Sequence, residues 1–215
     1  MSRPDYWGQA CAELSLADPV MGRLIAARAD THPVPRGDPF QTLARSIVGQ
    51  QISVKAAQSV WDRFAKAAGE VSPARVSRMR VGTLAAAGLS GRKAEYLKDL
   101  AQRFHTGAVD PDRWPALDDE ELIAELIEVR GIGRWTAEMF LIFNLLRPDV
   151  LPVDDLGVLR ALQQHYPAHL PEGTAGVPGR PVRVAAAALG ERWRPWRTVA
   201  TWYLWRSLEA VPVEY

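Results

Sequence analysis

The chain has 215 residues, 47% hydrophobic and 24% charged, with a formal net charge of +1, enough for one sizeable core or two small ones. No apolar run reaches the length of a membrane span, and the opening MSRPDYWGQACAEL carries no signal-peptide core. The single cysteine, Cys11, excludes a disulfide, a four-thiolate iron–sulfur cluster and a cysteine-rich zinc site within the chain.

In chain order, nearly every periodic segment reads as helix. Asp38-Pro39-Phe40-Gln41 is a helix start, with Asp38 as N-cap, Pro39 in the first turn and Gln41 at the capping-box position. That helix runs to Gly49. Ser53 caps the next, SVKAAQSVWDRFAKAA, which Gly69 stops. Gly49-Gln50-Gln51-Ile52 joins the two. Further helices are expected at 73–79, 81–88, 91–105, 118–129, 134–146, 155–165, 181–190 and 195–209. The Pro/Gly-rich PAHLPEGTAGVPGRP at 167–181 reads as a surface loop. No alternating run with hairpin chemistry appears. The expected fold is therefore all-α. His165 and His169 stand at i, i+4 without an acidic or thiol partner at motif spacing, so they read as surface residues.

Two segments carry chemistry. Gly131-Ile132-Gly133 joins the helices 118–129 and 134–146 in a tight hairpin. The glycines can take positive φ and admit another backbone, Ile132 can plug the gap, and free N–H groups at the start of the second helix form a phosphate site. A plain helical turn with glycine caps accounts for the same three residues. Further on, Leu151-Pro152-Val153-Asp154-Asp155 places two acids at a helix start, where a capping role is the simplest reading. Net charge alone lends little to nucleic-acid binding, which usually shows a basic excess. The basic residues are 22 Arg and only 4 Lys: Lys55, Lys66, Lys93 and Lys98.

Five pieces in order, DPFQTLARSIVGQQIS, GLSGRKAEYLKDLA, VRGIGRWTAEMF, LPVDD and WRPWRTVATWYLW, resemble the helix-hairpin-helix DNA glycosylase superfamily, closest to the 3-methyladenine DNA glycosylase II (AlkA) type. Together they span residues 38–206. The resemblance implies two helical lobes, about 39–146 and about 1–38 plus 147–215, with an active-site cleft between them. It also implies a compact form without the N-terminal β-rich domain of larger relatives. It assigns Asp155 as the catalytic carboxylate and leaves Asp154 as the cap. A fixed carboxylate stabilises the oxocarbenium-like state of N-glycosidic cleavage and orients or deprotonates the attacking water. Trp135, Trp205 and Met139 are implied to line a base pocket whose electron-rich rings attract cationic alkylated bases. Gln51 is the implied wedge for base flipping. Gly131, Gly133, Arg134, Thr136 and Lys93 are the implied DNA contacts. The carbonyls of Val129 and Ile132 are the implied ligands of a structural monovalent cation. Arg130 stands where many relatives have proline.

Bifunctional relatives carry a lysine at the position of Trp135, which forms a Schiff base. With tryptophan there, the expected reaction is hydrolysis to an abasic site, with no cofactor required. The expected partner is double-stranded DNA containing alkylated bases, for a monomeric, cytoplasmic, nucleoid-associated enzyme with no membrane contact. A glycosylase for deaminated or mispaired bases, and a non-catalytic module that binds damaged DNA, remain the alternatives.

Overall fold

The computed structural model describes residues 3–171 and 179–208. Among them are twelve α-helices and no strand: α1 (Trp7–Ala17), α2 (Pro19–Ala27), α3 (Pro39–Gly49), α4 (Val54–Ala68), α5 (Pro73–Arg78), α6 (Val81–Ala86), α7 (Gly91–Thr106), α8 (Asp119–Ile127), α9 (Arg134–Phe143), α10 (Leu156–His165), α11 (Arg180–Gly190) and α12 (Arg197–Ser207). The all-α expectation holds. Among the described residues, no helix is long and apolar enough to cross a membrane.

Local chemistry sets most boundaries. Asp38 accepts the Gln41 N–H at the start of α3, Ser53 accepts that of Ala56 at α4, and Ser90 that of Lys93 at α7. A reciprocal capping box forms at Asp118 and Glu121. Gly69, at φ 76°, ends α4. The helix expected to reach residue 146 stops at Phe143, and Leu146 takes φ 53°. The helix expected over 195–209 is α12, whose last expected residue lies outside the described ones. Within the loop expected at 167–181, Pro167–His169 form a 3₁₀ turn and Arg180 already begins α11; residues 172–178 lie outside the described ones. Helices α1 and α2 were not expected at all. Yet Asp18-Pro19 repeats the Asp38-Pro39 signal, and Asp18 caps α2 by accepting from Val20 and Met21.

The chain divides into two compact units, Arg36–Phe140 and Met1–Pro35 with Leu141–Tyr215. Residues 36–38 and 141–146 thus fall in the opposite unit from the lobe that sequence gave them. In the first unit, α3, α4, α5, α6 and α7 pack on one another around Phe40, Leu43, Ile47, Phe64, Leu84, Leu97 and Leu100, all fully buried. An edge-to-face row of Phe40, Phe104, Trp114 and Phe140 runs through it. In the second unit, α12 is buried on all sides from Thr198 to Trp205, so its sequence shows no apolar stripe. It packs on α1, α2 and α10. Trp61, Trp114 and Trp193 are core residues.

Candidate functional site

The carboxylate comes from the second unit, where α12 holds the segment that leads to it. Arg197 grips Asp149 with Nε and Nη2 at 2.7 and 3.0 Å, and Arg194 adds a contact at 2.6 Å. Thr198 Oγ1 donates to the Arg147 carbonyl at 2.5 Å and accepts the Val150 N–H at 2.9 Å. Thr201 Oγ1 reaches the Val150 carbonyl at 3.4 Å. Gly190 on α11 leaves space that the Leu151 side chain fills; a Cβ there would overlap it. Two helical turns beyond Thr198, Trp205 Nε1 donates to Asp155 Oδ1 at 2.7 Å.

Asp155 is buried, at 7% exposure. The same Oδ1 accepts the Val158 N–H at 2.8 Å, so Asp155 is itself the N-cap of α10. This corrects the division of labour between the two acids. Asp154 caps nothing; half exposed, it pairs with Arg183 of α11 at 2.5 Å. The capping position and the buried carboxylate are one residue, at the positive end of α10. Trp205 is 5% exposed, and Phe143 stacks on it at 5.6 Å and 12°. Its direct link to the site is therefore the N–H on Asp155, where sequence had placed it as a pocket wall. Gly157 makes the contact possible: a Cβ there would stand 3.0 Å from both Asp155 Oδ1 and Trp205 Cδ1.

The hairpin lies in the first unit. Residues 128–133 join α8 to α9, a longer connection than expected. Gly131 takes φ 88°, and the ring of Tyr96 occupies the place of its missing Cβ. The close approach that this glycine permits is thus made by Tyr96. Gly133 is exposed, has ordinary φ and meets nothing within 4 Å where a Cβ would be, which leaves its side of the turn open. Thr136 is partly exposed in the first turn of α9. Trp135, 41% exposed, and Met139 stand at i, i+4 on one face of that helix.

Two cations read as phosphate contacts have protein partners. Arg134 forms a two-pronged pair with Glu120 at 2.9 and 2.5 Å and reaches Glu138 at 3.0 Å. Glu120 first, then Glu138, hold its guanidinium more firmly charged than usual. Lys93 Nζ donates to the Val48 and Gln50 carbonyls at 2.8 and 2.6 Å. Both side chains serve the fold of the hairpin and its neighbouring loop. Arg130, the departure from proline, faces Asp99 and Glu95 at 3.7 and 3.8 Å. Gln51, expected from the resemblance to be the wedge, is exposed at φ 59°.

Residues 44–173 match the family described as HhH-GPD superfamily base excision DNA repair protein. The chain belongs to that superfamily. It is 33% identical over 190 residues to the DNA-3-methyladenine glycosylase 1 of Schizosaccharomyces pombe, covering 86% of this chain and 79% of that one. Its fold is similar to that of the DNA-3-methyladenine glycosidase from Bacillus halodurans, with TM-score 0.81, 30% identity and coverage of 92% and 88%. It is also similar to the Schizosaccharomyces pombe 3-methyladenine DNA glycosylase in complex with abasic-DNA, with TM-score 0.75, 31% identity and coverage of 96% and 100%. The superfamily match stops before α12, so the indole on the carboxylate lies beyond it. Gly157, Phe143, Tyr96 and Asp99 were missed from sequence. The glycine two residues after LPVDD was a visible signal; the ring contacts left none.

Proposed function

We propose that this superfamily member is a monofunctional DNA glycosylase that hydrolyses the N-glycosidic bond of alkylated bases, such as 3-methyladenine and 7-methylguanine, in double-stranded DNA. The observation that carries the reading is Asp155: a buried carboxylate fixed by an indole N–H and a helix N–H in a base excision repair fold. Such a group meets the positive charge that builds on the sugar as the bond breaks, and it orients or deprotonates the attacking water. The names of the relatives above point to the same substrates. Bases alkylated at a ring nitrogen are cationic and already good leaving groups, so the exposed face of Trp135 suits them.

The placement of the lysines supports hydrolysis without strand cleavage. None stands in the hairpin, and position 135 is tryptophan. Lys55 and Lys66 lie on α4, and the amino groups of Lys93 and Lys98 are each bound to two backbone carbonyls. The hairpin N–H groups around Gly133 serve as the phosphate contact. The carbonyls of Val129 and Ile132 are hard oxygen donors suited to a monovalent cation. Val129 accepts the Ile132 N–H at 3.0 Å, and a carbonyl carries a second lone pair that an ion can use, which supports this reading. That ion would fix the turn and take no part in bond cleavage.

A panel of duplexes, each with one modified base, tests the reading. Alkali-labile abasic sites from 3-methyladenine and 7-methylguanine duplexes, with no borohydride-trapped adduct, are expected. A trapped covalent band overturns the monofunctional assignment. Release confined to uracil or mispaired bases moves the substrate class, and binding without release on every duplex makes the chain a non-catalytic module.

A further inference from the structure

The loop between α3 and α4 holds a conformation that its own residues do not favour. Gln51 sits at φ 59°, a left-handed backbone that disfavours a side chain. Gln51 and its neighbours Ile52 and Ser53 are all exposed, so their own burial cannot hold it. The constraint comes from elsewhere in the same unit. Lys93 of α7 reaches the end of α3 and donates to the carbonyls of Val48 and Gln50, the residues just before the wedge. An ammonium there satisfies carbonyls that the helix end leaves without partners and sits at the negative end of the helix dipole. Partial burial lowers the Lys93 ammonium's pKa from its ordinary value.

The same loop is tied to the hairpin. Gln50 Nε2 donates to the Gly131 carbonyl at 2.7 Å, across 81 residues of sequence. The ring of Tyr96 fills the place of that glycine's missing Cβ, and the adjacent Arg130 N–H donates to Asp99 Oδ2 at 2.9 Å. Lys93, Tyr96 and Asp99 stand at successive threes along α7. One helix thus grips both the wedge loop and the phosphate-binding turn.

Resting on the glycosylase reading above, we propose that Lys93 and Gln50 are positioning residues for base extrusion: together they hold Gln51 in its strained, exposed conformation and in fixed register with the hairpin. They touch neither the base nor the sugar. Docking the hairpin on the DNA backbone then sets where the wedge enters the duplex. Unstacking and unpairing cost most at a well-paired base and least at a mismatch or in single-stranded DNA, so a loosened wedge shows itself only where extrusion is hard.

Lys93→Met keeps the aliphatic stem and removes the donors. Single-turnover release of 7-methylguanine is measured from a well-paired duplex and from a single strand. We expect a loss at least tenfold larger on the duplex. Combined with Gln51→Ala, Lys93→Met should add almost nothing to the duplex defect, because it acts through that side chain. Equal losses on both substrates, or losses that multiply in the double variant, overturn the proposal by making Lys93 an ordinary stabilising contact. Gln50→Leu, which severs only the tie to Gly131, should reproduce the duplex-selective loss should Lys93→Met not fold; a loss equal on both substrates there has the same overturning force. Extrusion is also read without chemistry, from the fluorescence of 2-aminopurine beside the lesion in an Asp155→Asn background. A signal that drops with Lys93→Met supports positioning even where the wild type releases none of the tested bases, and an unchanged signal overturns it.

Discussion

Replacing Trp205 by phenylalanine isolates the hydrogen bond on the carboxylate. The indole N–H lies 2.7 Å from Asp155 Oδ1, and the ring is stacked on Phe143 at 5.6 Å. Phenylalanine keeps a ring against Phe143 and removes only the donor and one fused ring. A hydrogen bond to a charged group contributes about 1.5–3 kcal/mol, and each 1.4 kcal/mol is tenfold, so base release should slow roughly 10- to 150-fold. The space left by the missing ring costs stability as well, on the order of 1–2 kcal/mol, which a thermal unfolding curve reads separately. Single-turnover release and equilibrium binding of lesion duplex are measured side by side. The rate should fall while the Kd stays within about twofold, because an indole at 5% exposure offers little face to a base. Undiminished release by the folded variant refutes the positioning role. A normal rate at saturation with a much raised Kd returns Trp205 to the pocket wall.

Three further outcomes follow from the same geometry. Gly157→Ala should lower the melting temperature slightly, since a Cβ that crowds two buried groups outweighs the small helix preference of alanine in a first turn. Its Cβ, 3.0 Å from both Asp155 Oδ1 and Trp205 Cδ1, should also slow release about tenfold by pushing the two apart; full activity would show that the contact is dispensable. Trp135→Ala should weaken release of cationic alkylated bases by about 2 kcal/mol, roughly 30-fold, and unchanged kinetics on 7-methylguanine would remove its ring from the pocket. Arg134→Met should lower the melting temperature, because Arg134 braces Glu120 and the buried Glu138, and should leave the salt dependence of DNA binding nearly unaltered. A salt slope shallower by about 0.9 would instead make it a phosphate contact.

What could be read from sequence was local chemistry. Asp38, Ser53 and the glycines gave helices close to their observed ends because caps act within four residues. The same Asp-Pro signal at Asp18 shows that α2 was equally legible. Side-chain partners were not. Lys93 looked like a phosphate contact, yet it binds carbonyls 45 and 43 residues away. Arg134 meets Glu120 fourteen residues back, on the other arm of the hairpin. Long cationic side chains reach whatever the tertiary fold brings near, and their sequence neighbours do not record it. The two aspartates exchanged the expected cap for a similar reason. Which acid turns inward depends on Trp205 and Arg183, both far along the chain.

The motif WRPWRTVATWYLW gains a physical meaning from this. Thr198, Thr201 and Trp205 repeat at helical spacing with Arg197 beside the first, and together they hold Arg147, Asp149, Val150 and Asp155. They form a rail along α12 that ends on the carboxylate. On the other unit, Lys93, Tyr96 and Asp99 do the corresponding service along α7 for the loop between α3 and α4 and for the hairpin. Each half of the machinery is therefore stiffened by a helix of its own unit. A fault in the rail should act on the rate at which an extruded base is released, on any substrate. A fault in α7 should act on extrusion and vanish where the base is already unpaired. That separation makes the two sets of variants controls for each other: Trp205→Phe losing equally on duplex and single strand, beside Lys93→Met losing on duplex alone, is the pattern that two independently fixed parts require.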